Sequence, residues 1–297
     1  MRTVRAGWSP PGVRSAIMEG RIRPALYAGS WYPATAQDLA RAVDRYLVRG
    51  AVPPAADTVA LIAPHAGLMY SGPVAGHAYG VVSGRKYEAV VLVGPSHRVA
   101  FDGVASHPPG AFDTPFGPIP VDAELTAEIA GRTPLVRELV SVHAREHSLE
   151  IQLPFVFRAL PDTPIVPLVV GDNRRATVEE LASALASALE RRRVLLVASS
   201  DLSHYHDATT AARLDARITA LVSRFDAAGL MSALEEEPGH ACGGGPMVAV
   251  MLAARMLGAR DARVLVRADS GDVSGDKDAV VGYMAAAFGN FEHPGSS

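Results

Sequence analysis

Four segments, TVALIA (58–63), EAVVLVG (88–94), TPIVPLVVG (163–171) and VLLVASS (194–200), are apolar at nearly every position and rich in β-branched residues. A strand with one face in water alternates apolar and polar side chains, so unbroken runs of this length predict strands buried on both faces. Such strands need helices on either side. ATAQDLARAVDRYLV (34–48), ATVEELASALASALERRR (176–193) and DATTAARLDARITALVSRF (207–225) repeat apolar residues at helical spacing. PMVAVMLAARMLGA (246–259) is apolar nearly all round, which predicts a buried helix with Pro246 as its first residue. The runs ARVLVRA (262–268) and DAVVGYMAAAF (278–288) predict two further strands. Together these elements predict an α/β fold: a single domain with a central, mostly parallel or mixed sheet sandwiched by helices.

No fixed-period repeat or low-complexity linker divides the chain. Residues 21–290 are expected to form that one domain, with an N-terminal extension over 1–20 and a C-terminal tail over 291–297. The Gly- and Pro-rich segment 101–121 predicts an ordered excursion with short strands, placed to shape a pocket rim. EHSLEIQLPFVFRAL (146–160) predicts a helix with His147 and Glu150 in its first turn, where a carboxylate suits the positive helix end.

A net charge of −3 and a pI near 6.4 remove any global electrostatic reason to expect nucleic acid or an anionic membrane as partner, so a small-molecule substrate or a protein is expected. No apolar stretch approaches the roughly 20 residues of a transmembrane helix, and the N-terminal segment has no secretory apolar core. The single cysteine, Cys242, excludes an internal disulfide and fits a reducing compartment, so a cytoplasmic location is expected.

In open α/β sheets ligands bind beyond the carboxyl ends of the strands, where loops and helix N-termini converge. The first apolar run empties into Pro64 and His65, the second into Gly94, Pro95, Ser96 and His97, and the third into Gly171, Asp172 and Asn173. The fourth delivers Asp201, His204, Tyr205 and His206 within SSDLSHYH. One histidine after a strand is ordinarily a structural hydrogen-bonder. Three histidine-bearing strand ends in one chain predict a shared site.

Cys242 precedes three glycines and the start of the apolar helix. That setting can lower a thiol pKa through the helix dipole and lets backbone approach a ligand closely; a small buried hydrophobe is the alternative. Two imidazoles and a thiolate can bind a divalent metal and leave a position open for substrate. Such ligands suit iron, copper or zinc, with Asp201 and His204 as outer groups that orient a ligand or move protons. SGDVSGDKD (270–278) does not have the spacing of a calcium loop and is expected to be a polar loop able to reach the pocket.

The ordered motifs RPALYAGSWYPA, APHAG with YSG, GPSH, TPFG, EHSLEIQLPF, SSDLSHY, CGGGP and SGDVSGDKDAVVGY resemble those of the Memo-like proteins, relatives of the type III extradiol dioxygenases. The resemblance runs from about Arg23 to about Phe288. It implies an extradiol-dioxygenase-like domain with a metal pocket at one edge of the sheet. His65, His97 and Cys242 match the family's proposed metal ligands, Asp201 and His204 match polar residues lining the pocket, and His147 matches another motif near it. It also implies iron(II) as the metal of choice, with copper and zinc open. A radical-SAM protein is an implied partner, because family members are often encoded beside one. Cys242 stands where the ring-cleaving dioxygenases carry a carboxylate, so ring opening does not transfer directly.

The expected function is therefore a metal-dependent, dioxygenase-like redox enzyme acting on a small substrate. His204 would be its acid/base, Asp201 would hold His204, and His147 would contact substrate. Two other classes stay open: an adaptor with a vestigial site and an aromatic rim from Trp31, Tyr32, Tyr70 and Phe116, or a metal-free hydrolase with Cys242 as nucleophile.

Overall fold

The computed structural model describes residues 21–47 and 57–291; the N-terminal extension and residues 292–297 of the expected tail lie outside the described residues. In chain order the strands are β1 (Ile22–Arg23), β2 (Asp57–Ala63), β3 (Val90–Pro95), β4 (Val104–Ser106), β5 (Ala111–Phe112), β6 (Ile119–Pro120), β7 (Val136–Glu138), β8 (Ile165–Val170), β9 (Leu195–Ser199), β10 (His204–His206), β11 (Asp261–Asp269) and β12 (Val280–Asn290). The helices are α1 (Ala36–Tyr46), α2 (Leu68–Val82), α3 (Ala123–Ala130), α4 (Val140–His143), α5 (Leu153–Ala159), α6 (Arg175–Leu189), α7 (Ala208–Ser223), α8 (Ala227–Glu236), α9 (Gly244–Met256) and α10 (Gly271–Ser274).

The main sheet has nine strands among the described residues, ordered β10-β12-β2-β9-β3-β8-β4-β7 with β11 on β12. Its centre, β2-β9-β3-β8, is parallel. β12 pairs antiparallel with β2, and β4 antiparallel with β8, so the sheet is mixed. β1, β5 and β6 form a separate small sheet.

The four unbroken apolar runs are these central strands, and alternation assigns their side chains to two cores. Ile62, Val91, Val93, Leu168 and Leu196 share one core with residues of α3, α6, α7, α8 and α9. Leu61, Leu92, Val169, Leu195 and Val197 share the other with residues of α1, α2 and α5. A period of two on a strand covered on both sides is why both parities are apolar.

Three elements differ from the sequence expectation. Helix α2 spans a segment for which the sequence analysis named no element, with glycines and Pro73 inside it. Close packing accounts for it: a Cβ at Gly76 would lie 1.8 Å from the Tyr46 carbonyl oxygen, so the missing side chain lets α1 and α2 touch. The segment expected to be one helix from 146 begins instead with a 3₁₀ turn, Glu150–Gln152, and becomes α5 at Leu153, leaving His147 in a loop before the helix. Helix α9 starts at Gly244, so Pro246 is its third residue, still within the first turn where amides lack helical partners. Phe291, placed with the tail from sequence, is buried, and its N–H donates to Asp261. No helix among the described residues is long and apolar enough to cross a membrane.

Candidate metal centre

The carboxyl ends of β2, β3 and β9 are adjacent because the strands are parallel neighbours in register, and their loops deliver His65, His97 and Asp201 to one place. Cys242 joins them from the start of α9. It does so because Gly243 packs against the end of β9: a Cβ there would meet the Ser199 carbonyl at 2.3 Å, and its N–H donates to Ser200 Oγ at 3.0 Å. The glycine admits close approach of the protein to itself, where the sequence suggested approach of a ligand.

The donor atoms of His65, His97 and Cys242 lie within 4.8 Å of one another. His65 Nε2 is 3.2 Å from Cys242 Sγ. Two ligands on one tetrahedral metal with bonds near 2.0 and 2.3 Å stand about 3.5 Å apart, so the His65–Cys242 pair is close to the spacing that one metal needs.

The surrounding hydrogen bonds assign the protons. Ser199 Oγ donates to the Ser148 carbonyl at 2.6 Å and accepts from Gln152 Nε2 at 2.8 Å. Its contact with His65 Nδ1 at 2.9 Å must then be donated by the imidazole, which leaves the lone pair on Nε2, facing the thiol. His97 Nδ1 donates to Glu146 Oε1 at 2.9 Å, which likewise leaves Nε2 basic. A carboxylate or hydroxyl behind each ring is the usual way a metal-ligating tautomer is fixed.

Glu146 is geometrically close enough to form a second donor group with His97 and His147. Its oxygens are already engaged: Oε2 accepts the His97 N–H at 2.6 Å, and Oε1 accepts the His147 and Ser148 N–H groups at 2.9 Å. Burial alone would raise this carboxyl, but the hydrogen bonds from His97 and Ser148 outweigh it and hold the group down at about 2. Glu146 therefore holds both the ring and the backbone of His97. Behind it, buried Arg23 donates to the Glu146 and His143 carbonyls and pairs with Glu150, which also accepts the Tyr32 hydroxyl and the Tyr27 N–H.

Burial, with the nearby charge of His97, pushes His65 down to about 3, so it stands neutral. Burial also pushes His147 down to about 3, helped by His65 and His97. The Cys242 thiol moves the opposite way from the helix-dipole expectation. Burial raises it first and the Asp201 charge next, and they outweigh the amides of Asp201 and Gly243. Without a cation the sulfur is a thiol.

The cavity measures about 620 Å³, and His65, His97, His147, Asp201, His204 and Cys242 all line it. Asp201 does not hold His204: its Oδ1 accepts the His65 N–H at 2.7 Å and the Ala66 N–H at 3.3 Å. It shapes the turn that carries His65, and burial raises its carboxyl to about 6. His204 Nδ1 donates instead to the Leu202 carbonyl at 2.8 Å, leaving Nε2 basic. The His147 ring stacks on His97 with centroids 4.4 Å apart and packs on Trp31 at 4.6 Å.

Other expected participants lie elsewhere. Asp172 binds the Gly103 N–H, Arg174 and Thr177 as a structural carboxylate. No residue of 101–121 or 270–278 lines the cavity. Residues 271–274 are the short helix α10, and Lys277 bridges Asp269 and Asp272. Of the four aromatic rim candidates Trp31 lines the cavity; Tyr32 is core, Tyr70 borders a neighbouring cavity, and Phe116 stacks on Phe157. The sequence reading gave no supporting role to Arg23 or Gln152, and it noted Glu146 only as a carboxylate before a helix and Ser199 only as a residue at a strand end; all four are buried polar residues inside apolar surroundings.

The family model described as "Memo-like protein" matches residues 23–287. A MEMO1 family protein of Methanopyrus kandleri is 33% identical over 279 residues, covering 90% of this chain and 98% of the relative. One of Ignicoccus hospitalis is 35% identical over 280 residues, with the same coverage of 90% and 98%. Among solved structures, an uncharacterized protein of Escherichia coli K12 shares the fold with a TM-score of 0.50 at 16% identity, covering 77% of this chain and 99% of that one. With a family model spanning nearly all the described residues and relatives matching along their full length, this chain belongs to the Memo-like protein family.

Proposed function

We propose that the chain is a metal-dependent redox enzyme, dioxygenase-like in chemistry, that holds iron(II) on His65, His97 and Cys242 and acts on a small oxygen-bearing substrate in the adjoining cavity. The observation that carries this reading is that donor atoms of His65, His97 and Cys242 lie within 4.8 Å of one another, with the two Nδ1 atoms held by Ser199 and Glu146. Iron(II) would supply a Lewis acid and a one-electron couple with open coordination positions.

The chain's own residues do the rest. His204, whose Nδ1–H is held by the Leu202 carbonyl, takes and returns a substrate hydroxyl proton at Nε2. Asp201 keeps the His65 turn in place through two backbone N–H groups. His147 and Trp31 form a wall against which substrate is ordered.

The Sγ–Nε2 contact at 3.2 Å would also suit a thiol nucleophile with His65 as base. That reading leaves His97 and its Glu146 support without a task, and the raised thiol works against it. One experiment separates the two. After anaerobic purification, elemental analysis and the electron paramagnetic resonance spectrum of the nitric oxide adduct are compared for wild type, His65→Ala, His97→Ala and Cys242→Ser. Stoichiometric iron in wild type, lost in both histidine variants and spectrally altered by Cys242→Ser, is expected. Absence of metal even after reconstitution, or full metal content in both histidine variants, would overturn the proposal.

A further inference from the structure

Arg98 follows His97, is exposed, and lines the metal-centre cavity. Several exposed arginines are tied down, Arg158 to Asp44, Arg174 to Asp102 and Asp172, and Arg175 to Glu235, but none of these lines the cavity. Arg98 has no hydrogen-bond or ion-pair partner among the described residues, although its charge reaches His147. Asp201 is the one acid among the lining residues, and it is buried with its Oδ1 facing two backbone N–H groups. An anion entering this cavity meets an open guanidinium and no exposed carboxylate.

Tyr205 lines the same cavity and carries a second anomaly. Its φ is 62°, in the left-handed region, and it is 79% exposed. For a residue with a Cβ that backbone is unfavourable, and a ring so exposed returns little by burial. A non-glycine residue held this way beside a site is a sign of a positioned side chain. Trp31 offers the cavity another aromatic surface.

We infer that the cavity takes a planar organic anion, with its charged group on the Arg98 guanidinium and its ring against Tyr205 and Trp31, so that Arg98 and Tyr205 determine substrate specificity. Arg favours planar, bidentate recognition of carboxylate-like groups, and tyrosine and tryptophan faces accept flat rings. The inference rests on the proposed function for the reaction that follows, but the binding it describes belongs to the metal-free chain.

The test is calorimetric titration of chelator-treated protein with phenylacetate and with phenylacetamide, which has nearly the same shape and no charge. Phenylacetate is expected to bind about tenfold tighter or more, the scale of one charge-assisted hydrogen bond. Arg98→Gln removes that preference and leaves phenylacetamide unchanged, Arg98→Lys retains part of it, and Tyr205→Ala weakens both ligands alike. Equal wild-type affinities, no binding of either ligand at millimolar concentration, a preference that survives in Arg98→Gln, or acetate binding as tightly as phenylacetate would each overturn the inference. Iron content is measured separately, so a chain that loads iron but ignores phenylacetate refutes this inference alone, and the converse refutes only the metal reading.

Discussion

The Nδ1–H of His97 meets one oxygen of Glu146 at 2.9 Å, while the other oxygen takes the His97 backbone N–H at 2.6 Å. One carboxylate thus sets both the tautomer of the ring and the position of the chain that carries it. Because Glu146 also accepts from His147 and Ser148, the loop before α5 and the end of β3 are locked together by a single side chain.

Glu146→Gln should therefore weaken metal retention by about 10- to 100-fold, the usual consequence of losing a carboxylate behind a ligating histidine. An amide nitrogen cannot accept the N–H groups that the lost oxygen served. Competition against a graded chelator series measures the change, and circular dichroism checks that the fold persists. Unchanged metal affinity would mean that Glu146 does not position His97.

The half-buried Cys242, whose thiol is raised by desolvation, and the neutral His65 fix how metal uptake responds to pH. Binding must expel the thiol proton, whereas the histidine already presents a lone pair. About one proton should leave per metal bound near neutral pH, and affinity should rise with pH over that range. Calorimetry in buffers of differing ionisation enthalpy counts the proton; in Cys242→Ser the release should disappear. Release that persists in the variant would place the proton on another group.

Away from the metal centre, His143 is buried, and burial followed by the charge of His107 pushes it down to about 3. An unfolded histidine titrates near 6.5, so protons favour the unfolded chain between those values. The stabilising contribution is complete above about pH 6.5 and is lost as the pH falls toward 3. His65 and His147 add to the same trend, while Asp201, raised to about 6, opposes it with a stabilisation lost as pH rises through that value. Three histidines outweigh one carboxylate, so the melting temperature should fall steadily from pH 6.5 to 4. In His143→Gln, whose amide can still donate to the Ala105 carbonyl, that slope should be shallower. An identical slope would show that His143 does not contribute.

Much of this molecule is legible in its sequence because the relevant physics is local. Unbroken apolar runs such as EAVVLVG and VLLVASS require a strand covered on both faces, and the motifs at their ends, PHAG, GPSH and SSDLSH, name the residues that a parallel sheet must bring together. His65, His97, His147, Asp201, His204 and Cys242 could all be singled out before any tertiary contact was seen, and all line one cavity.

The remaining facts depend on contacts between residues far apart in the chain. Arg23 reaches Glu150 across 127 positions, and His65 meets Cys242 across 177. No periodicity records such pairings. The same is true of protonation: the helix start beside Cys242 suggested a lowered thiol pKa, but the burial created by packing raises it. The close approach of Tyr46 to Gly76 that joins α1 to α2 leaves no periodic mark in the sequence, and neither does the choice of His204 Nδ1 to bind the Leu202 carbonyl while Asp201 Oδ1 accepts the His65 and Ala66 N–H groups. Strand and helix patterns need only short-range sterics and one buried face, whereas tautomers, charge states and the use of each carboxylate are settled by which distant groups the folded chain places within hydrogen-bonding distance.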